Sequence, residues 1–345
     1  MKGVLLVNHG SPDSTKPEDV KRYLDEFLMD PRVIDIPKAL RTLIVRGIIL
    51  NTRPKKSAEA YKKIWWENGS PLIVLSEHFR DKVQEKTTVP VALAMRYGSM
   101  SIENGLQELA DQGVDDVLVF PLYPHYAMST TETVTVKAEE VQKEKFPNMQ
   151  LRVLPAFYDD PAYIRVLSNS IKEALQGEAY EHILFSYHGV PESHIKKRDI
   201  TKEHCKIDKS CCYTDSSAHE FCYRHQCLTT TELVAKELGL KKGAYSSSFQ
   251  SRLGIDPWLI PFTDKTIKEL GEKGVKSLAV ITPAFVCDCL ETLEEIAMEG
   301  KEFFEAAGGE KFLAIPCLND REDWVEEVVR WIEQDLVVDV NMAIV

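Results

Sequence analysis

No run of about eighteen apolar residues occurs in the chain, so the sequence offers no segment that would cross a membrane as a helix. Cationic residues are in deficit: 42 Lys and Arg stand against 54 Asp and Glu, and the net charge of −12 argues against a nucleic-acid partner. The chain start lacks a basic stretch, an apolar signal core and a small-residue cleavage site, and residues 1–8 enter a strand pattern at once. A soluble, cytoplasmic protein is expected, not a secreted one. The Gly-x-Gly-x-x-Gly spacing is missing after the first strand, where Asn8-His9-Gly10-Ser11-Pro12 stands instead, and this excludes the nicotinamide-binding reading.

What is present points to a large enzyme-like chain. With 345 residues and 44% hydrophobic content, it can bury two cores, and two domains are expected. Eight β-type runs stand out, at 4–7, 89–94, 117–122, 151–154, 182–187, 244–249, 278–281 and 312–315, with helical patterns between most of them. Strands alternating with helices imply parallel, doubly covered sheets. The fold class expected is α/β: two similar Rossmann-like domains, each a four-stranded parallel sheet flanked by helices, with an active-site cleft between them. The first would span 1–158 and the second 159–340, ending in a packing helix over 323–336.

The most telling stretch is Thr282–Glu299, where a short core strand runs out through Pro283 into a segment without Gly or Pro until Gly300. Glu291, Glu295 and Glu299 recur every four residues, so their carboxylates share one face, where like charges disfavour one another unless a proton or cation sits between them. Such a ladder suits the relay of protons or divalent cations. A solvated acidic face is the alternative, if Leu290 and Leu293 alone face the core. Placement past the carboxyl end of a strand favours the relay. His188 ends another strand, in Phe185-Ser-Tyr-His-Gly-Val-Pro191, and supplies an imidazole for proton transfer.

Residues 33–66 mix Ile34, Ile36, Leu40, Leu43, Ile44, Val45, Ile48, Ile49 and Leu50 with Lys38, Arg41, Arg46, Arg53, Lys55 and Lys56. This composition suits a lip that grips a flat apolar ligand bearing carboxylates, or one that touches an anionic membrane surface; ordinary packing is the alternative. His9 is read as a turn histidine or a ligand. Five of the eight cysteines crowd between 205 and 227, inside an insertion over 194–228. In a large chain without a signal that crowding points to metal, although the spacings fit neither a zinc ribbon nor a plant-type ferredoxin.

The His188 motif and Asp288-Cys-Leu-Glu-Thr-Leu-Glu-Glu-Ile296 together resemble the ferrochelatases, which insert ferrous iron into porphyrin. Asn8–Pro12, Phe27–Arg32, Met95-Arg-Tyr-Gly98, Tyr123–Tyr126 with Ser129-Thr130, Gln250-Ser-Arg252 and Pro257-Trp-Leu259 also follow the family's order, so the resemblance covers nearly the whole chain. It implies conversion of Fe2+ and protoporphyrin IX to protohaem, with His188 and Glu291 as the catalytic pair that also meets the iron, and Glu295 and Glu299 as an acidic relay. It places porphyrin contacts at Arg53, Tyr61, Ser70, Arg96, Tyr97, Tyr123, Ser129, Trp258 and Phe285; the spacing from Tyr61 to Ser70 is two residues longer than in animal members. Cys289 stands where animal enzymes carry histidine. Coproporphyrin or cobalt as substrate, a non-catalytic tetrapyrrole carrier, and a homodimer all stay open.

Some ferrochelatases resemble this chain in holding a [2Fe-2S] cluster. The animal arrangement is absent here, with Met128 at the internal position and no cysteine in the tail. The resemblance to bacterial members with an internal cluster implies four ligands from Cys205, Cys211, Cys212, Cys222 and Cys227. Neighbouring Cys211 and Cys212 are expected to point apart, so the preferred set is Cys205, Cys212, Cys222 and Cys227, with Cys211 able to replace Cys212 or Cys227. Structural Zn2+ is the alternative occupant.

Overall fold

In the computed structural model, which describes residues 1–254 and 256–334, every expected apolar run is a strand. β1 (Lys2–Gly10), β2 (Val91–Tyr97), β3 (Asp116–Pro121) and β4 (Gln150–Val153) form one parallel sheet in the order β2-β1-β3-β4. β5 (His182–His188), β6 (Tyr245–Gln250), β7 (Ser277–Ile281) and β8 (Lys311–Ala314) form a second in the order β6-β5-β7-β8, all parallel. The two halves therefore repeat one topology. In the first core Leu5 lies opposite Ala92 on one side and Val119 on the other; in the second, Leu184 lies opposite Val280. Helices cover both faces of such sheets, which is why the central strands read as unbroken apolar runs and not as alternating ones.

In each sheet the connections leave the first strand in opposite directions, so the strand order reverses between β1 and β3 and again between β5 and β7. A crevice opens at the carboxyl ends of the strands at each such point. Gly10, the last residue of β1, has φ +106°, and a Cβ there would lie 1.9 Å from the Tyr97 carbonyl oxygen, so only glycine fits.

Two compact units divide the described residues: 1–123, 128–155 and 319–334 make one, and 124–127 and 156–318 the other. Sequence reading assigns everything from 159 to 340 to the second domain; residues 319–334 instead belong to the first unit. The helix Glu322–Gln334 stacks Trp324 on Phe79 at 6.0 Å between ring centroids and sets Trp331 beside Phe120 at 6.1 Å. Lys82 pairs with Asp320 at 2.7 Å, and Lys86 pairs with Glu322. An amphipathic helix declares that one face is covered, and which sheet covers it depends on shape and charge that the pattern does not carry. Positions 335–340 of the expected second domain, including the expected helix end at Leu336, lie outside the described residues.

The expected lip is almost continuous helix: Lys38–Ile44, a π-helical stretch Val45–Ile49, and Leu50–Ile64. Val45, Leu50, Ala58 and Tyr61 are buried, while Leu40, Leu43 and Ile48 are 47%, 64% and 59% exposed. Packing and an exposed apolar surface thus coexist on opposite sides of one segment.

Candidate active site

His188 is the last residue of β5, and the helix carrying Glu291 follows β7, so both stand at the switch point of the second sheet. The His188 Nδ1 lies 2.7 Å from the Gly189 carbonyl oxygen. A carbonyl only accepts, so in the neutral ring Nδ1 carries the hydrogen and Nε2 keeps its lone pair for a substrate proton or a cation. The Tyr223 hydroxyl donates to the His188 carbonyl at 2.8 Å. Gly189 beside it is closely approached: a Cβ would lie 3.0 Å from both the Gln250 and Ser251 carbonyl oxygens, so a side chain there would crowd the strand end. Burial pushes the imidazole below its usual pKa, partly offset by the Glu291 charge and the Gly189 carbonyl, so His188 is a neutral base at neutral pH. Phe285 and Trp258 flank it, with ring centroids 6.3 and 6.5 Å from the imidazole; the Trp258 indole donates to the Leu253 carbonyl at 2.9 Å.

Glu291–Gly300 is a π-helix ten residues long, where the sequence shows only helical composition. With about 4.4 residues per turn in such a helix, a four-residue spacing still keeps side chains roughly in line, so Glu291, Glu295 and Glu299 remain a row; π-helical geometry is rare and concentrates at functional sites. Thr292, Glu294, Ile296 and Gly300 face inward, whereas Glu291 and Glu295 are half-buried and Glu299 is exposed. The acidic row is therefore more than a solvated face.

Glu295 is held in place: Ser251 Oγ donates to its Oε2 at 2.7 Å and Gln250 Nε2 reaches the same oxygen at 3.4 Å. Gln250 also donates to the Glu291 carbonyl at 3.0 Å and accepts from the buried Ser186 hydroxyl at 2.9 Å. Burial first, then the Glu291 charge, raises the Glu295 pKa to about 7. A base, a half-buried carboxylate and a carboxyl that exchanges its proton near neutrality are thus drawn up in order from the strand end towards solvent. Ser186, Gln250 and Ser251 were visible in sequence only as parts of motifs; their role in fixing the row comes from the parallel pairing of β5 with β6, which sets His188 opposite Gln250.

The residues expected to meet porphyrin in the first unit take varied positions. Arg53 is exposed on the helix Leu50–Ile64, Tyr61 is buried on its inner side, and Ser70 is buried at the start of the helix Pro71–Lys86. Arg96 and Tyr97, ending β2, turn towards Asp30: the guanidinium lies 2.5 Å from the carboxylate and the phenol 3.1 Å, with Thr133 joining the same oxygen. Although burial pushes the Asp30 carboxyl up, the bonds from Thr133 and the Arg32 amide and the Arg96 charge hold it below the usual range. Tyr97 has no exposed surface, and Tyr123 is also buried, while Ser129 is half-buried in a short π-helical turn, Met128–Glu132. His9 ends up in an aromatic box, edge-on to Phe27 at 4.7 Å and Tyr97 at 5.1 Å.

In the cysteine-rich insertion, Cys205, Cys211, Cys212 and Cys222 line one small cavity together with Asp199, His204 and His219. Cys211 and Cys212 do not point apart. The tight 3₁₀ turn Ser210–Tyr213 presents both sulfurs to one guanidinium, with Arg224 Nε 3.1 Å from Cys212 Sγ and Nη2 3.7 Å from Cys211 Sγ. Cys227 lies outside this lining, fully buried on the helix Tyr223–Glu237, and burial holds its thiol well above the usual pKa. Burial also raises Cys205, Cys212 and Cys222, the last to about 12. At Cys211 burial is outweighed by the Lys206 amide and Arg224, and the pKa is lowered. Four thiols around one cavity, with a buried cation beside them, suit a thiolate-held group by their chemistry. Among the described residues, however, no three His, Cys, Asp or Glu side chains are spaced around a common metal position.

Comparison with known proteins adds an independent line. The family described as Ferrochelatase matches residues 1–336. A protein of Pseudomonas syringae pv. tomato named Ferrochelatase is 48% identical over 332 residues, covering 96% of this chain and 97% of that one. One of Ectopseudomonas mendocina with the same name is 50% identical over 324 residues, covering 93% and 94%. Among solved structures, SirB from Bacillus subtilis with Fe3+ superposes with a TM-score of 0.54 at 12% identity, covering 96% of this chain and 94% of that one. The last likeness speaks for the fold alone.

Proposed function

The chain belongs to the ferrochelatase family, and on that footing we propose that its reaction is the insertion of ferrous iron into protoporphyrin IX to give protohaem, with release of two protons. The observation that carries this reading is the row His188, Glu291, Glu295 and Glu299 at a sheet switch point, with Glu295 titrating at about 7.

Metallation of a free-base porphyrin removes two N–H protons while a cation enters. His188 Nε2 takes a pyrrole proton, which a neutral imidazole does without prior deprotonation. Glu291 offers carboxylate oxygens, hard donors that hold ferrous iron in passage without trapping it as thiolates would. Glu295 accepts a proton near neutral pH and passes it towards exposed Glu299, so charge leaves along one helix. Phe285 and Trp258 provide apolar surface beside His188 for the macrocycle. Arg53, exposed on its helix, is assigned to a propionate, and buried Tyr61 and Ser70 are assigned to the same ligand. Arg96 and Tyr97 act at one remove, since Asp30 already engages both.

We assign Cys205, Cys211, Cys212 and Cys222 to a [2Fe-2S] cluster, which when bound would supply a redox-active thiolate-held centre. Metal insertion involves no net electron transfer, so these residues serve the insertion's structure. Zinc is the alternative occupant, told apart by its lack of colour. No described helix is long and apolar enough to cross a membrane. We place the protein in the cytoplasm, with exposed Leu40, Leu43 and Ile48 and neighbouring Lys38 suited to peripheral contact with an anionic bilayer, Arg46 being already paired with Asp25.

The test is an anaerobic assay of purified protein with ferrous iron and, in parallel, protoporphyrin IX and coproporphyrin, followed by metalloporphyrin absorbance. Turnover of protoporphyrin supports the reading. Preference for coproporphyrin, or for cobalt over iron, moves the substrate; porphyrin binding without product makes the protein a carrier.

A further inference from the structure

Arg224 is 2% exposed, on the first turn of the helix Tyr223–Glu237. Its Nε donates to Cys212 Sγ at 3.1 Å, its Nη2 faces Cys211 Sγ at 3.7 Å, and its Nη1 donates to the Ile207 carbonyl. No carboxylate pairs with it among the described residues. Guanidinium stays protonated in proteins, and a buried cation without an anion is strongly disfavoured. The groups in direct contact that can carry negative charge are the two sulfurs; the exposed Asp208 carboxylate and the thiols of Cys205 and Cys222 act on the guanidinium only at longer range.

We propose that Arg224 is the internal counter-ion of the Cys211–Cys212 thiolate pair, a positioning residue that compensates the negative charge of whatever metal centre these thiolates hold. This rests on the reading of the insertion as a thiolate-held centre. Two features favour charge compensation over simple loop anchoring. Anchoring needs one bond to the Ile207 carbonyl, whereas the guanidinium plane is spent on both sulfurs. The sequence also places this cation two residues after Cys222, the last of the assigned ligands. The consequence is electrostatic. Hydrogen bonds and positive charge at the sulfurs favour the reduced, more negative form of an iron–sulfur centre, so removing them makes reduction harder.

Wild type, Arg224→Lys and Arg224→Gln are purified anaerobically, and iron, acid-labile sulfide and zinc are measured with circular dichroism as a fold control. If wild type is red-brown, the ratio of reduced to oxidised centre is read at fixed potential by visible absorbance. The expected result is a reduced-to-oxidised ratio at least tenfold lower in Arg224→Gln, about 59 mV for a one-electron couple, with Arg224→Lys clearly nearer wild type because the charge is kept. A loop anchor instead lowers metal content while the surviving centre keeps its potential. If wild type is colourless and holds zinc, the cluster reading fails by itself. Arg224 is then judged by zinc loss to a chelator, at least tenfold faster in Arg224→Gln and near wild type in Arg224→Lys. Variants that are both unchanged, or both weakened alike, overturn the proposal in either case. Should Arg224→Gln not fold, Arg224→Lys decides: wild-type metal retention supports compensation by charge, and loss of the centre in a folded protein overturns it.

Discussion

Glu295→Gln tests the acidic row where its electrostatics are most exposed to measurement. In the unfolded chain this carboxyl titrates near its ordinary value of 4.5, and in the folded protein at about 7, chiefly because it is buried and faces Glu291. Between those values the folded protein binds more protons than the unfolded one, so stability falls as pH rises through this window and the cost is complete above it. The gap between 4.5 and about 7, at about 1.36 kcal/mol per pH unit, amounts to roughly 3 kcal/mol above neutrality. Glutamine keeps the shape of the protonated acid, and its carbonyl can still accept the Ser251 hydrogen bond. Purified variant and wild type are melted in parallel from pH 5 to pH 8 by circular dichroism. The variant should gain little at pH 5, roughly 1 kcal/mol, and roughly 3 kcal/mol at pH 8, which is on the order of 5 °C or more in melting temperature. A gain that does not change with pH, or a loss that grows with it, would refute the assignment of a neutral-range pKa to Glu295.

His188→Ala and Glu291→Ala should each abolish iron insertion with circular dichroism unchanged; near wild-type turnover in either sinks the mechanism. The His188 imidazole, followed by NMR, should titrate below 6.5, and lower still in Glu291→Gln, because the charge that partly offsets burial is gone; a midpoint above 6.5 contradicts the neutral-base role. Arg53→Ala should weaken a dicarboxylate porphyrin by about 1.5–3 kcal/mol and its diester hardly at all, and equal losses count against the propionate pairing. Serine at Cys205, Cys211, Cys212 or Cys222 should each bleach the protein, whereas Cys227→Ser should leave its colour; bleaching by Cys227→Ser with retention in Cys211→Ser would restore the other ligand set.

The strands were legible because buried parallel strands are apolar runs closed by turn residues, and residues such as Pro283 and Gly189 mark where they stop. The placement of His188 at a strand end, and of the Glu291 helix just past another, could be read there too, whereas their pairing was implied only by the family resemblance. The π-helix was not legible, since an α-helix accepts the same composition and the burial of Ile296 in the second core and of Gly300 against Phe312 and Ile267 appears only in the folded chain. Spacing alone likewise hid the thiol grouping: adjacent cysteines diverge in most backbones, and only the 3₁₀ turn at Ser210–Tyr213 brings both to Arg224. Arg224 is one of three cations among these cysteines, with Lys206 and Lys209, and nothing in the sequence singles it out from them.

The return of residues 319–334 to the first unit bears on the order in which the protein is made. A ribosome completes all four strands of the first sheet by residue 153, yet the indoles of Trp324 and Trp331, which cover Phe79 and Phe120, emerge only after every residue of the second unit. The usual rule, in which the N-terminal domain finishes first, is inverted here. The second unit has all of its residues while the first still shows bare aromatic surface to the cell. Nascent chains stalled before residue 319 should therefore recruit chaperones through the first unit.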